Sequence, residues 1–69
     1  MNGEPEYKMT LSELLKRRDA LNTQTVFNPE EYAWDWIRLA ADFDSLGFSL
    51  NAERCRGKAE HYFDVQVSA

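Results

Sequence analysis

The sequence holds one cysteine, Cys55, and one histidine, His61. A single thiol excludes an internal disulfide, and secreted domains of this size usually carry several. A reducing, intracellular compartment is therefore expected. A zinc site needs three or four nitrogen, sulfur or oxygen ligands at close spacing, and this pair does not supply them. A thiol–imidazole couple needs the two groups together, but six residues apart on one helix they fall on different faces. Long apolar runs are missing too. No stretch approaches the roughly 20 residues that cross a bilayer, and Met1–Lys8 is polar and acidic, unlike a signal peptide. With three glycines there is no phosphate-cradling loop, since Gly47 stands alone. Cations are outnumbered, eight Lys and Arg against twelve Asp and Glu, giving a net charge of −4. Nucleic-acid affinity rests largely on cations that displace phosphate counterions, so the overall balance opposes it.

Large apolar side chains are present: two Trp, four Phe and three Tyr in 69 residues. That content excludes a disordered segment, and the length allows one domain. Residues 1–8, with Gly3 and Pro5, read as a flexible lead-in. Residues 9–64 form the folded domain, and 65–69 read as a C-terminal tail, although Val65–Val67 are also compatible with an extension of the last helix. Thr10 opens a first helix, Thr10–Leu21, with Glu13 at capping-box spacing. Leu11, Leu14 and Leu15 form its apolar stripe. Asn28 caps a second helix, with Pro29 at its first position and Glu30 and Glu31 at its positive end. Phe27 and Tyr32 flank that cap as a hydrophobic staple. Tyr32, Trp36, Leu39, Ala40 and Phe43 then recur at helical spacing, and Gly47 ends the helix after Leu46. Phe48–Leu50 reads as a connector and Asn51 as the cap of a third helix, with Ala52, Cys55, Ala59 and Tyr62 on one face. Gly57 inside this helix costs about 1 kcal/mol relative to Ala. The expected fold is all-α: a three-helix bundle with a helix-turn-helix-like arrangement of helices 2 and 3. Its core should hold Leu11, Leu14, Leu15, Trp36, Leu39, Ala40, Phe43, Phe48, Cys55, Ala59 and Tyr62.

Trp34 and Trp36 point about 200° apart on a helix. Trp36 belongs to the core stripe, so Trp34 lies at the edge or outside. It either covers helix 1 and its loop or anchors a partner, as exposed Trp often does. Helix 2 carries Glu30, Glu31, Asp35, Asp42 and Asp44 against Arg38 alone. The first two carboxylates suit the helix dipole, and Asp42 and Asp44 suit a solvated face, so neither pair reads as catalytic. Helix 3 is balanced, and Arg54, Lys58 and His61 share one flank.

From Trp36 to Lys58 the chain resembles the Myb/SANT-like family, in its trihelix and MADF-type branch. The resemblance rests on Trp36, Leu39-Ala40, Phe43, Gly47-Phe48, Ala52, Cys55-Arg56 and Lys58. It covers about a third of the chain. Where the family has a Trp after the basic residue of helix 3, this chain has Ala59. The helix 3 face that enters a DNA groove in relatives is here Glu53, Arg56, Gly57 and Glu60, with few donors for base edges.

The resemblance implies a nuclear, chromatin or transcription setting. The expected function is a non-catalytic module binding a protein or peptide with a basic surface or tail, through Trp34, Asp35, Asp42 and Asp44. DNA binding through Arg54, Arg56, Lys58 and His61 is the first alternative. An acidic nucleic-acid mimic that inhibits a DNA- or RNA-binding protein is the second. No catalytic residue, cofactor, metal, membrane or small-molecule substrate is expected.

Overall fold

Capping chemistry sets where the helices start. In the computed structural model, which describes residues 10–68 and the side chains of 10–65, α1 spans Leu11–Thr23, α2 Pro29–Ser45 and α3 Ser49–Ser68. The lead-in expected for residues 1–8 lies outside the described residues. Thr10 Oγ1 accepts the Glu13 N–H at 3.3 Å, and Asn28 Oδ1 accepts the Glu31 N–H at 3.3 Å. Both caps stand where the sequence places them. The α1 helix runs two residues past Leu21 and ends with Gln24 in an extended conformation.

The α2–α3 turn is a Schellman motif. Gly47 has φ +88°, a conformation that costs glycine no steric penalty. Its N–H donates to Asp44 O and the Phe48 N–H donates to Phe43 O, both at 2.9 Å, closing the pair of bonds that defines the motif. The reversal is so tight that no connector remains. Ala52 N–H already donates to Phe48 O at 3.0 Å, so α3 begins at Ser49 and Asn51 sits inside its first turn instead of capping it. At the other end α3 continues through Ser68, which replaces the expected tail over 65–68 with helix.

The three helices form a bundle with α2 in the middle. Ala33, Ala40, Ala52, Cys55 and Ala59 are all at most 2% exposed, and side chains this small let the α2 and α3 backbones approach closely. The two helices run antiparallel, from Asp44–Arg56 near the turn to edge-on Tyr32–Tyr62 rings, centroids 4.7 Å apart, at the far end. Trp36, Phe43, Leu14 and Leu39 are the largest fully buried side chains. Removing an aromatic of this kind costs about 3–5 kcal/mol.

Attachment of α1 is sparser. Leu14 is its one fully buried side chain, supported by partly buried Leu15 and Leu21. Tyr32 donates its hydroxyl to Leu21 O, and Arg17 pairs with Asp42 at 2.6 Å. Among the described residues no Cα of α1 comes within 8 Å of one in α3.

Several expected core positions differ. Leu11 and Phe48 are each 36% exposed, because one begins α1 and the other sits at the turn, beyond the reach of the facing helix. Tyr62 and Leu15 are partly buried at the edge of the core. Tyr32 and Ala33 are buried instead, on the α2 faces toward α1 and α3. Phe27 is 90% exposed, so it makes no staple with Tyr32. Val26 turns inward in its place.

Candidate functional site

The charges of α3 divide between its two flanks. At about 100° per residue, Arg54 and Lys58 fall on one side of the buried stripe formed by Ala52, Cys55 and Ala59. Glu53 and Glu60 fall on the other. Each flank lines a groove.

The outer groove lies between α2 and α3, about 420 Å³ in volume, with Ile37, Ala59 and Phe63 as its apolar lining and Glu53, Glu60 and Arg56 as its charged residues. Arg56 is held by Asp44 at 2.8 Å. Glu53 and Glu60 pair with no cation among the described residues, so the free charge of this groove is negative. Gly57 opens onto it, and a Cβ built there would meet nothing within 4 Å. Helix packing therefore gives no reason for glycine at this position. Phe63 carries Trp34 edge-on at 5.2 Å, and Trp34 remains 48% exposed. Trp34 thus rests on α3, not on helix 1 or its loop.

The inner cleft lies between α1 and α3, about 250 Å³ in volume, with Trp36, Phe43 and Cys55 beneath it. Its polar walls are Arg18 and Asn22 from α1 and Asn51, Arg54 and Lys58 from α3. Lys58 Nζ donates to Asn22 Oδ1 at 3.0 Å and lies 5.4 Å from the centroid of the Trp36 ring, a favourable cation–π placement. Among the described residues Arg18 has its exposed neighbour Asp19 at 3.3 Å as its one ion-pair partner, and Arg54 has none. Trp36 Nε1–H is buried without an acceptor among the described protein atoms, a condition worth about 1–3 kcal/mol of lost solvation.

The residues expected to meet a basic partner scatter. Trp34 does not line the outer groove and meets it only through Phe63. Asp35 is engaged by Arg38 at 2.6 Å, Asp42 by Arg17 and Asp44 by Arg56. Each of these pairs is at least partly solvated, so its net worth is at most about 1 kcal/mol. The four expected DNA contacts also separate. Arg54 and Lys58 wall the inner cleft, Arg56 turns to Asp44, and His61 stacks edge-on against Tyr62 at 5.0 Å. Arg54 and Lys58 are exposed along the rim of the inner cleft, so the four do not form one continuous protruding face of the kind that reads a major groove.

Burial pushes the Cys55 thiol above its ordinary range, against the opposing pull of Arg18, Arg56, Arg17 and Lys58. A buried thiol held protonated is a poor nucleophile. Among the described residues no cluster of His, Cys, Asp and Glu is placed to hold a metal ion, and no helix is long and apolar enough to cross a membrane.

Glu53, Arg56, Gly57 and Glu60 read from the sequence as one helix 3 face but not as the wall of a groove, and Phe63 was missed. The signal was present: Glu53 and Glu60 are seven apart, on one helical face, and Gly57 between them was an unexplained helix-interior glycine. No protein-family model, curated protein or solved structure matches this chain.

Proposed function

We propose that this chain is a non-catalytic binding module whose outer α2–α3 groove takes a basic, apolar segment of a partner protein. The observation that carries the reading is Trp34, half exposed and edge-on against Phe63, which lines a groove whose Glu53 and Glu60 pair with no cation among the described residues. An aromatic fixed by a neighbouring ring presents a large apolar surface at low entropy cost, which suits a binding hot spot. The free carboxylates favour Lys or Arg beside the docked apolar residue. Asp35, Asp42 and Asp44 contribute to the field around the site while their direct bonds stay intramolecular. The Myb/SANT resemblance adds a setting to this reading, a nuclear partner with a basic tail of histone type.

The test is titration with a synthetic peptide alternating Lys and Leu, followed by fluorescence anisotropy of a label on the peptide. Salt-sensitive binding is expected, weakened about tenfold or more by Trp34→Ala and by Glu60→Lys, and unchanged by Arg54→Glu. Failure of the peptide to bind, with duplex DNA binding that Arg54→Glu removes, overturns the proposal.

A further inference from the structure

The inner cleft stands apart from that reading and points to a different ligand. The protein carries twelve acids against eight cations, yet Arg18, Arg54 and Lys58 line this one cleft and, among the described residues, no acid does. Such a concentration of cation against the overall charge selects an anion. Trp36, Phe43 and Cys55 lie beneath the cleft but are at most 2% exposed. The apolar surface a ligand meets is therefore the aliphatic stems of Arg18, Arg54 and Lys58, with the carboxamides of Asn22 and Asn51 at the walls.

Size and closure choose between a compact ligand and a long one. The Lys58–Asn22 bond bridges α3 to α1, so the cleft does not form a continuous trough for a fourth helix. At about 250 Å³ it lies below the roughly 300–1,000 Å³ of drug-sized sites, which suits a single ring with a short charged arm. Donors exceed acceptors throughout. Lys58 has three N–H donors and spends one on Asn22, and among the described residues Arg54 has no ion-pair partner and Trp36 Nε1–H no acceptor.

We propose that the α1–α3 cleft binds a compact amphiphilic anion, one aromatic ring or short alkyl body carrying a carboxylate or phosphate. The apolar body packs on the aliphatic stems of the cationic walls above the buried Trp36, and the anionic head meets Arg54 and Lys58 with Arg18 opposite. Nothing in the sequence announced a small-molecule ligand. The cations that read there as a helix-surface stripe are brought into a pocket by the way α1 crosses α2.

The experiment follows the two indole N–H resonances of the ¹⁵N-labelled protein during titration with phenyl phosphate and with 3-phenylpropionate. Inorganic phosphate and benzyl alcohol serve as probes of charge alone and ring alone. Both aromatic anions are expected to shift the Trp36 resonance saturably at millimolar concentration or below and to leave Trp34 in place. Arg54→Glu, an exposed site whose exchange leaves the fold intact, should weaken both by at least tenfold, and Lys58→Met should weaken them without abolishing binding. Equal binding of inorganic phosphate, equal binding of benzyl alcohol, or no saturable Trp36 shift each overturns the proposal. So does a response confined to an acidic peptide, which would make the cleft a protein-docking surface. Loss of the outer-groove reading through Trp34 leaves these outcomes unaffected.

Discussion

The two grooves flanking α3 differ in charge, in depth and in what holds their walls. The outer one lies within the closely packed α2–α3 hairpin, which buries Ala33, Ala40, Ala52 and Ala59, and Trp34, edge-on against its lining residue Phe63, remains half in solvent. The inner one shares its floor with the core, since Trp36 is 1% exposed, and one of its walls is the sparsely attached α1. One helix of balanced charge therefore serves two surfaces of opposite sign. Net charge, read over the whole chain, hides both. The difference also separates stability from recognition: the outer groove can be altered at little structural cost, while the inner floor cannot.

Changes that break the comparison should follow that order. Trp36→Ala removes the inner floor and part of the core together, and about 3–5 kcal/mol of stability is expected to go with it. A 69-residue domain at roughly 0.05–0.15 kcal/mol per residue holds only about 3–10 kcal/mol in total, so urea denaturation should find this variant largely or wholly unfolded. Leu14→Ala should cost about 2–5 kcal/mol and act unevenly. Amide exchange should accelerate most in α1 while the middle of α2 and α3 stays protected, and the inner cleft should lose its anion before the outer groove loses its peptide.

Gly57→Ala sharpens the contrast in the opposite direction. With open space for the new Cβ, it should stabilise the fold by about 0.5–1 kcal/mol. Peptide affinity at the outer groove should nevertheless fall, because a partner approaching the bare backbone meets the added methyl. Thermal unfolding and anisotropy measured on one sample check both halves.

The smallest effect concerns Cys55. Its thiol is favoured in the protonated form when folded, so the folded state holds its proton more tightly than the unfolded chain does. That contribution is complete below the ordinary thiol value of 9.0 and is lost as pH rises through the higher folded value. Denaturation midpoints should decline on the alkaline side, and Cys55→Ala should flatten that part of the decline.

The caps and the Gly47 stop were legible because Thr10, Asn28, Pro29 and Gly47 act on their immediate neighbours. The buried stripe of α2 was legible for a related reason, since period alone reports a face. What periodicity could not supply was which helix each flank meets. Trp34 was rightly placed at an edge, but its partner Phe63 lies 29 positions further along the chain. Asp42 and Asp44 read as a solvated acidic face because Arg17 and Arg56 reach them from other helices. The start of α3 was misplaced by a turn geometry, since a Schellman reversal leaves no connector for Asn51 to cap.

The two tryptophans make one measurement decisive. A ¹⁵N-correlated spectrum recorded while the Lys–Leu peptide is added reports Trp34 and Trp36 separately, at opposite grooves. A progressive shift of the Trp34 indole with Trp36 unmoved is expected, abolished when Glu53 and Glu60 are both changed to Lys. A shift confined to Trp36, or none in either indole, would contradict the assignment of the outer groove as the protein-binding surface.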